Sequence, residues 1–183
     1  MVVDALLCVV LPVWWRTHSM PVSGLPTLAI VLIGADALGV LPSSMDTYAW
    51  PSLSRLCGLL VGMDALQTTM HILTHRGWLG GVVREHHLVH HRHQKINPAS
   101  AFDTGWLDAL VQLICPLLVT LAAIQPDRTT AIAFGVIYSL WLVHIHTPGE
   151  ASRCVRLPGL VTPEYHQAHH AGGGHYAHIF AVC

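Results

Sequence analysis

The sequence predicts an all-α integral membrane protein, with about four transmembrane helices and a cytosolic helical cap, and three observations lead there. Hydrophobic residues make up 52% of the 183 positions and charged residues only 10%. Ordinary soluble chains carry about 25% charged residues, so a water-facing surface would be hard to cover. Four long apolar stretches come close to the roughly 20 residues that cross a hydrocarbon core about 30 Å thick. The fifteen histidines gather at one end of those stretches. A formal charge of −1 leaves no electrostatic footprint for general nucleic-acid binding.

In chain order, the run 2–15 is short and interrupted by Asp4, which fits a partial or tilted span or a signal-like segment. No A-x-A cleavage pattern follows it, and it is kept in the mature chain. The expected spans are 24–42, 56–74, 107–125 and 129–147. Gln125-Pro126-Asp127-Arg128 reads as a tight turn that makes the last two an antiparallel hairpin. Cys8, Cys57, Cys115, Cys154 and Cys183 are odd in number and lack CxxC spacing, so neither a disulfide framework nor a zinc ribbon fits. No repeat or linker divides the chain, and 1–183 reads as one domain.

Each crossing moves the chain to the other side of the bilayer, and this parity puts the histidine-rich segments on one side. Arg16, Arg76, Arg84, Arg92, Lys95, Arg153 and Arg156 fall there too, while Arg55 and Arg128 fall opposite. The excess of basic residues makes the histidine side cytosolic by the positive-inside rule. Trp14, Trp15, Tyr48, Trp50, Trp78 and Trp106 lie near span ends, where amphipathic rings favour the interface.

Histidines three or four apart on a helix share a face, so two imidazoles can reach one metal ion. His71 and His75 are four apart, and His87-x-x-His90-His91 and His166-x-x-His169-His170 repeat an HxxHH arrangement. His144 and His146 end the last span. One zinc site uses about four ligands, so this many imidazoles imply that the cap carries a histidine-rich dimetal site. Imidazole suits iron, zinc, copper and nickel alike. The nearby carboxylates are few: Glu85, Asp103, Asp108, Glu150 and Glu164.

From Asp64 to the C-terminus these residues resemble the fatty acid hydroxylase and sterol desaturase superfamily of membrane-bound, histidine-box, non-haem di-iron oxidoreductases. The resemblance is carried by Asp64 seven residues before His71-Ile-Leu-Thr-His75, by His87-Leu-Val-His90-His91 with Pro98 downstream, and by His144. It is most specific at Val161-Thr162-Pro163-Glu164-Tyr165-His166-Gln167-Ala168-His169-His170, which is similar to the family's VTPxxHxxHH segment. Ile72 stands where the family's first box commonly has Arg, and His175-Tyr176-Ala177 stands where it often has Asn-Tyr-Gly.

The resemblance implies two iron ions, with zinc a possible occupant after purification, held by His71, His75, His87, His90, His91, His144, His166, His169 and His170. His175 becomes an additional ligand or a residue that reaches the metals through water, Asp64 a supporting group on its helix, and no catalytic residue is implied beyond the metal centre. The implied activity is O2-dependent hydroxylation or desaturation of a lipid (sterol, fatty acyl or sphingoid chain) in lipid biosynthesis. A separate electron donor such as cytochrome b5 or a ferredoxin and its reductase would serve it, in the endoplasmic reticulum if the source is eukaryotic. Two other readings of the same residues are a catalytically impaired family member and a non-catalytic, histidine-rich zinc-binding membrane protein. By spacing alone His146 is a supporting residue, because two residues along a helix it points away from His144. His178 reads as part of a polar tail.

Overall fold

A computed structural model of the chain describes residues 24–92, 95–147 and 158–181. The run 2–15, His18, His93, Arg153, Cys154, Arg156 and Cys183 lie outside the described residues. Six helices make up the described fold: α1 Gly24–Ala37, α2 Leu53–His75, α3 Gly81–His90, α4 Trp106–Ile124, α5 Arg128–Ile145 and α6 Pro163–His170. Short 3-10 turns cover Ser43–Asp46 and Pro98–Phe102. There is no strand among the described residues, only an isolated bridge between Leu160 and Phe180.

Among the described residues three helices, α2, α4 and α5, are long and apolar enough to cross a membrane. Within the first expected span, 24–42, helix α1 ends at Ala37 rather than at 42. Its end is a Schellman closure, in which Gly39 takes φ +64°, its N–H donates to Asp36 O, and the Val40 N–H donates to Ala35 O. The other end-signals are local as well. Ser52 caps α2 by accepting from Arg55 N, and its own N–H donates to Thr130 Oγ1 at 2.9 Å. Gln125 takes the left-handed conformation that turns α4 into α5, and Asp127 caps α5 by accepting from Thr130 N.

The buried residues of α2 run Leu59, Met63, Asp64, Gln67, His71, Thr74, a stripe with helical spacing that passes from apolar to polar toward the cap. Leu59 and Met63 meet Leu117 and Leu121 of α4 and Phe134, Tyr138 and Leu142 of α5. Gly58 and Gly62 let α2 and α4 approach closely. A Cβ on Gly62 would lie 3.0 Å from Thr120 Cγ2, and one on Gly58 3.1 Å from Ile124 Cδ1. Small residues four apart are the usual device for close helix contact in lipid. Val61, Val119, Ile132, Val136 and Leu140 face outward, which suits hydrocarbon rather than water.

Candidate metal centre

Nine imidazoles converge in two adjoining groups at the end of the bundle where α2 and α5 finish and α4 begins. The first holds His71 and His75 from α2, His87 and His91 from α3 and its cap, and His169 from α6. The second holds His90, His146, His166 and His170. Within each group the nitrogens that could bind an ion lie within 4.8 Å of one another. Each HxxHH run is shared out by helix geometry. Residues four apart lie about 40° apart around the axis and residues one apart about 100°. His87 and His91 therefore reach one group and His90 the other, while His166 and His170 pair in the second and His169 joins the first. His91 and His170, across the divide, have ring centroids 4.7 Å apart.

The donor set fits metal ions on a chemical argument. Carbonyl oxygens only accept, so the ring proton sits on Nδ1 in His71, bonded to Tyr176 O at 2.9 Å, in His90, bonded to Asp103 O at 3.1 Å, and in His146, bonded to Leu142 O at 2.7 Å. The Asp108 carboxylate does the same for His87 Nδ1 at 3.0 Å while also accepting from Thr104 Oγ1. Each of these rings then presents a bare lone pair on Nε2. Yet His71 Nε2 and His87 Nε2 lie 3.0 Å apart, a contact that is repulsive unless a cation stands between the two. Nearest Nε2 pairs in both groups are separated by 2.9–3.2 Å. Two nitrogens each about 2.1 Å from one ion and about 90° apart would lie about 3.0 Å from each other.

Burial reinforces the neutral, ligating form. Loss of hydration, then the neighbouring His87, holds the His91 pKa down to about 3. Burial and His91 bring His169 to about 2, and burial lowers His166 and His170 as well. An imidazole must be neutral to ligate, so these shifts favour binding at neutral pH.

Several of the expected residues lie elsewhere than their spacing suggested. His144, expected in the ligand set, belongs to neither group, and His146, expected only to support it, takes the inward place. Two residues of helix separate them by about 200°, and the end of α5 turns His146 toward α6. His144 instead packs on Trp141 with ring centroids 5.2 Å apart. His175, expected as an added ligand, is exposed and lies against Tyr165 at 4.4 Å, apart from both groups. The Asp64 carboxylate accepts the backbone N–H groups of His178, Ile179 and Phe180 at 3.2, 2.8 and 3.1 Å. That clasp holds the C-terminal segment against α2, two turns from His71, whose Nδ1 is tied to the same segment.

Sequence reasoning left Asp108 without a role, although a carboxylate opening an apolar helix is itself a signal. A π-helical stretch, Ala109–Ile114, follows it, and such stretches recur at functional sites. Here it accompanies Gln112, whose Nε2 donates to Thr74 Oγ1 at 2.7 Å. A cavity of ≈ 70 Å³ lies between the groups, bounded by His71 and His87 on one side, His90 and His146 on the other, and Leu113 and Leu142 of the long helices.

Residues 56–183 match the family model described as fatty acid hydroxylase. The "Alternative squalene epoxidase" of Phaeodactylum tricornutum (strain CCAP 1055/1) is 31% identical over 168 residues, covering 86% of this chain and 47% of that protein. The chain thus spans about half the length of the curated relative it matches. No solved structure matches. The matched segment takes in Asp64 and all nine converging histidines, and on that extent of agreement the chain belongs to the fatty acid hydroxylase family, within the fatty acid hydroxylase and sterol desaturase superfamily.

Proposed function

We propose that the protein is a membrane-bound, non-haem di-iron oxidoreductase that uses O2 to oxidise a lipid. The observation that carries the reading is the convergence of imidazole nitrogens into two adjoining groups, with the Nδ1 protons of His71, His87, His90 and His146 tied off by Tyr176 O, Asp108, Asp103 O and Leu142 O, which leaves a lone pair on Nε2 of each of those four. His71, His75, His87, His91 and His169 would hold one ion, and His90, His146, His166 and His170 the other. Iron in that place supplies the redox power for attack on an unactivated C–H or C=C bond, which no acid–base side chain has. The chain's part is to orient the imidazoles, to keep them neutral by burial, and to offer Leu113 and Leu142 as apolar walls along which a lipid chain approaches. Each buried CH2 contributes about 0.8 kcal/mol to that placement. The metal face is cytosolic in this reading, and electrons come from a separate donor such as cytochrome b5 or a ferredoxin and its reductase.

Hydroxylation and desaturation are both within the chemistry of such a centre, and the relative's name adds squalene epoxidation to the outcomes to be tested. The experiment is expression in a lipid-producing host, with purification and anaerobic reconstitution with ferrous iron. About two irons per chain and a new oxidised lipid that carries label from 18O2 or appears only in its presence support the proposal. His169→Ala should abolish the product and lower iron content. A protein that binds zinc but forms no oxygen-dependent product with iron loaded would favour the non-catalytic reading.

A further inference from the structure

His178 belongs to neither histidine group, yet it stands between them. Its ring centroid is 4.9 Å from that of His71 in the first group and 5.8 Å from that of His166 in the second. It is 8% exposed and forms part of the cavity wall that both groups share. Its Nδ1 is enclosed and has no hydrogen-bond partner among the described residues. Its backbone is fixed from two helices at once: the N–H donates to Asp64, and the carbonyl accepts from Trp141 Nε1 at 2.7 Å.

A residue that merely filled this space would be apolar, like its neighbours Ala177 and Ile179, because an enclosed imidazole nitrogen without a partner costs stability. A neutral imidazole carries one N–H and one lone pair. Nδ1, which has no partner among the described residues, can take either role toward a molecule in the cavity. The double anchoring to Asp64 and Trp141 is the kind of rigid support that keeps a binding group in one place.

We propose that His178 is a ligand-contacting residue of this cavity, where its ring hydrogen-bonds a small oxygen- or nitrogen-tipped molecule lying between the two histidine groups. The inference rests on the reading that those groups hold iron. It assigns His178 to the small co-ligand rather than to the metals, and Asp64 and Trp141 to holding His178 in register.

Azide is the probe. The full chain, loaded with iron and oxidised in air, is titrated with azide and followed by its charge-transfer absorption, in wild type, His178→Phe and His178→Gln. The expected result is unchanged iron content in all three, azide binding weakened about tenfold in His178→Phe, as for one lost hydrogen bond, and most of it regained in His178→Gln. His178→Leu replaces His178→Phe should the larger ring prevent folding. Full iron with unaltered azide affinity in the apolar variant overturns the inference, and so does loss of iron from that variant, which would make His178 a ligand or a prop. Failure of the wild type to take up iron strikes the proposed function itself.

Discussion

Replacing one imidazole separates the two residues that end α5. His146→Ala removes a donor from the second group, so metal content measured by plasma emission should fall by about one of two ions per chain, while His144→Ala should leave it unchanged. The opposite pattern would return His144 to the ligand set. A second consequence concerns pH. His91 and His169 titrate near 3 and 2 in the folded chain, against an ordinary value of 6.5, so the unfolded chain binds more protons in between. Stability of the metal-free protein from these groups is therefore fully present above about pH 6.5 and is lost progressively as pH falls toward 3. Denaturant midpoints measured from pH 7.5 to 4.5 should decline, and a rise on acidification would contradict the burial assigned to the imidazoles. The histidine boxes were legible because spacings of three and four are fixed by the helical turn itself. Which of His144 and His146 faces the other imidazoles was not, since their opposite faces become unequal only when α6 packs alongside. His178 was still less legible: its place depends on a hydrogen bond to Asp64, 114 residues away.

At the scale of elements, α6 brings three imidazoles into place on only 8 residues, too few to be stable alone, so its start matters. Thr162 Oγ1 accepts from Tyr165 N at 3.2 Å and Pro163 opens the helix. Thr162→Ala should cost about 1 kcal/mol, read as a lowered melting temperature of the metal-free protein, with Thr162→Ser close to wild type. Packing of α2 on α4 offers an independent test. Gly62→Leu pushes a side chain into Thr120, and overpacking of this kind costs about 1–3 kcal/mol, which thermal unfolding in detergent would register. If Gly62→Leu unfolds like wild type, α2 and α4 are not in close contact. The long helices were legible to within a few residues, since apolar length and the Gln125-Pro126-Asp127 turn are local signals. The end of α1 at Ala37 depends on Gly39 adopting φ +64°, a state composition permits without requiring. The π-helical stretch has no pattern of its own, because a shift in hydrogen-bond register leaves the sequence apolar throughout.

On the whole-molecule scale, the lipid-facing helices fix the depth of the bundle, and charge fixes which way up it sits. Arg76, Arg84, Arg92 and Lys95 are exposed near the histidine end, whereas Arg128 at the opposite end lies over the Tyr48 ring at 5.6 Å and near Asp36 and Asp46. Basic residues are retained on the cytosolic side during insertion, so the histidine end should face the cytosol, where a soluble or tail-anchored electron donor can reach it. Single cysteines placed in a cysteine-free background test this: Glu85→Cys at the histidine end and Tyr48→Cys at the other, both at exposed positions. A membrane-impermeant maleimide applied to intact cells should modify Tyr48→Cys and spare Glu85→Cys until the membrane is opened. Labelling of Glu85→Cys alone would invert the molecule, put the metal face outside, and remove the cytosolic donor from the proposed chemistry. Labelling of both would mean that α2, which joins the two positions, does not cross the bilayer, and the buried stripe from Leu59 to Thr74 would then need an environment other than a membrane to account for its outward-facing Val61.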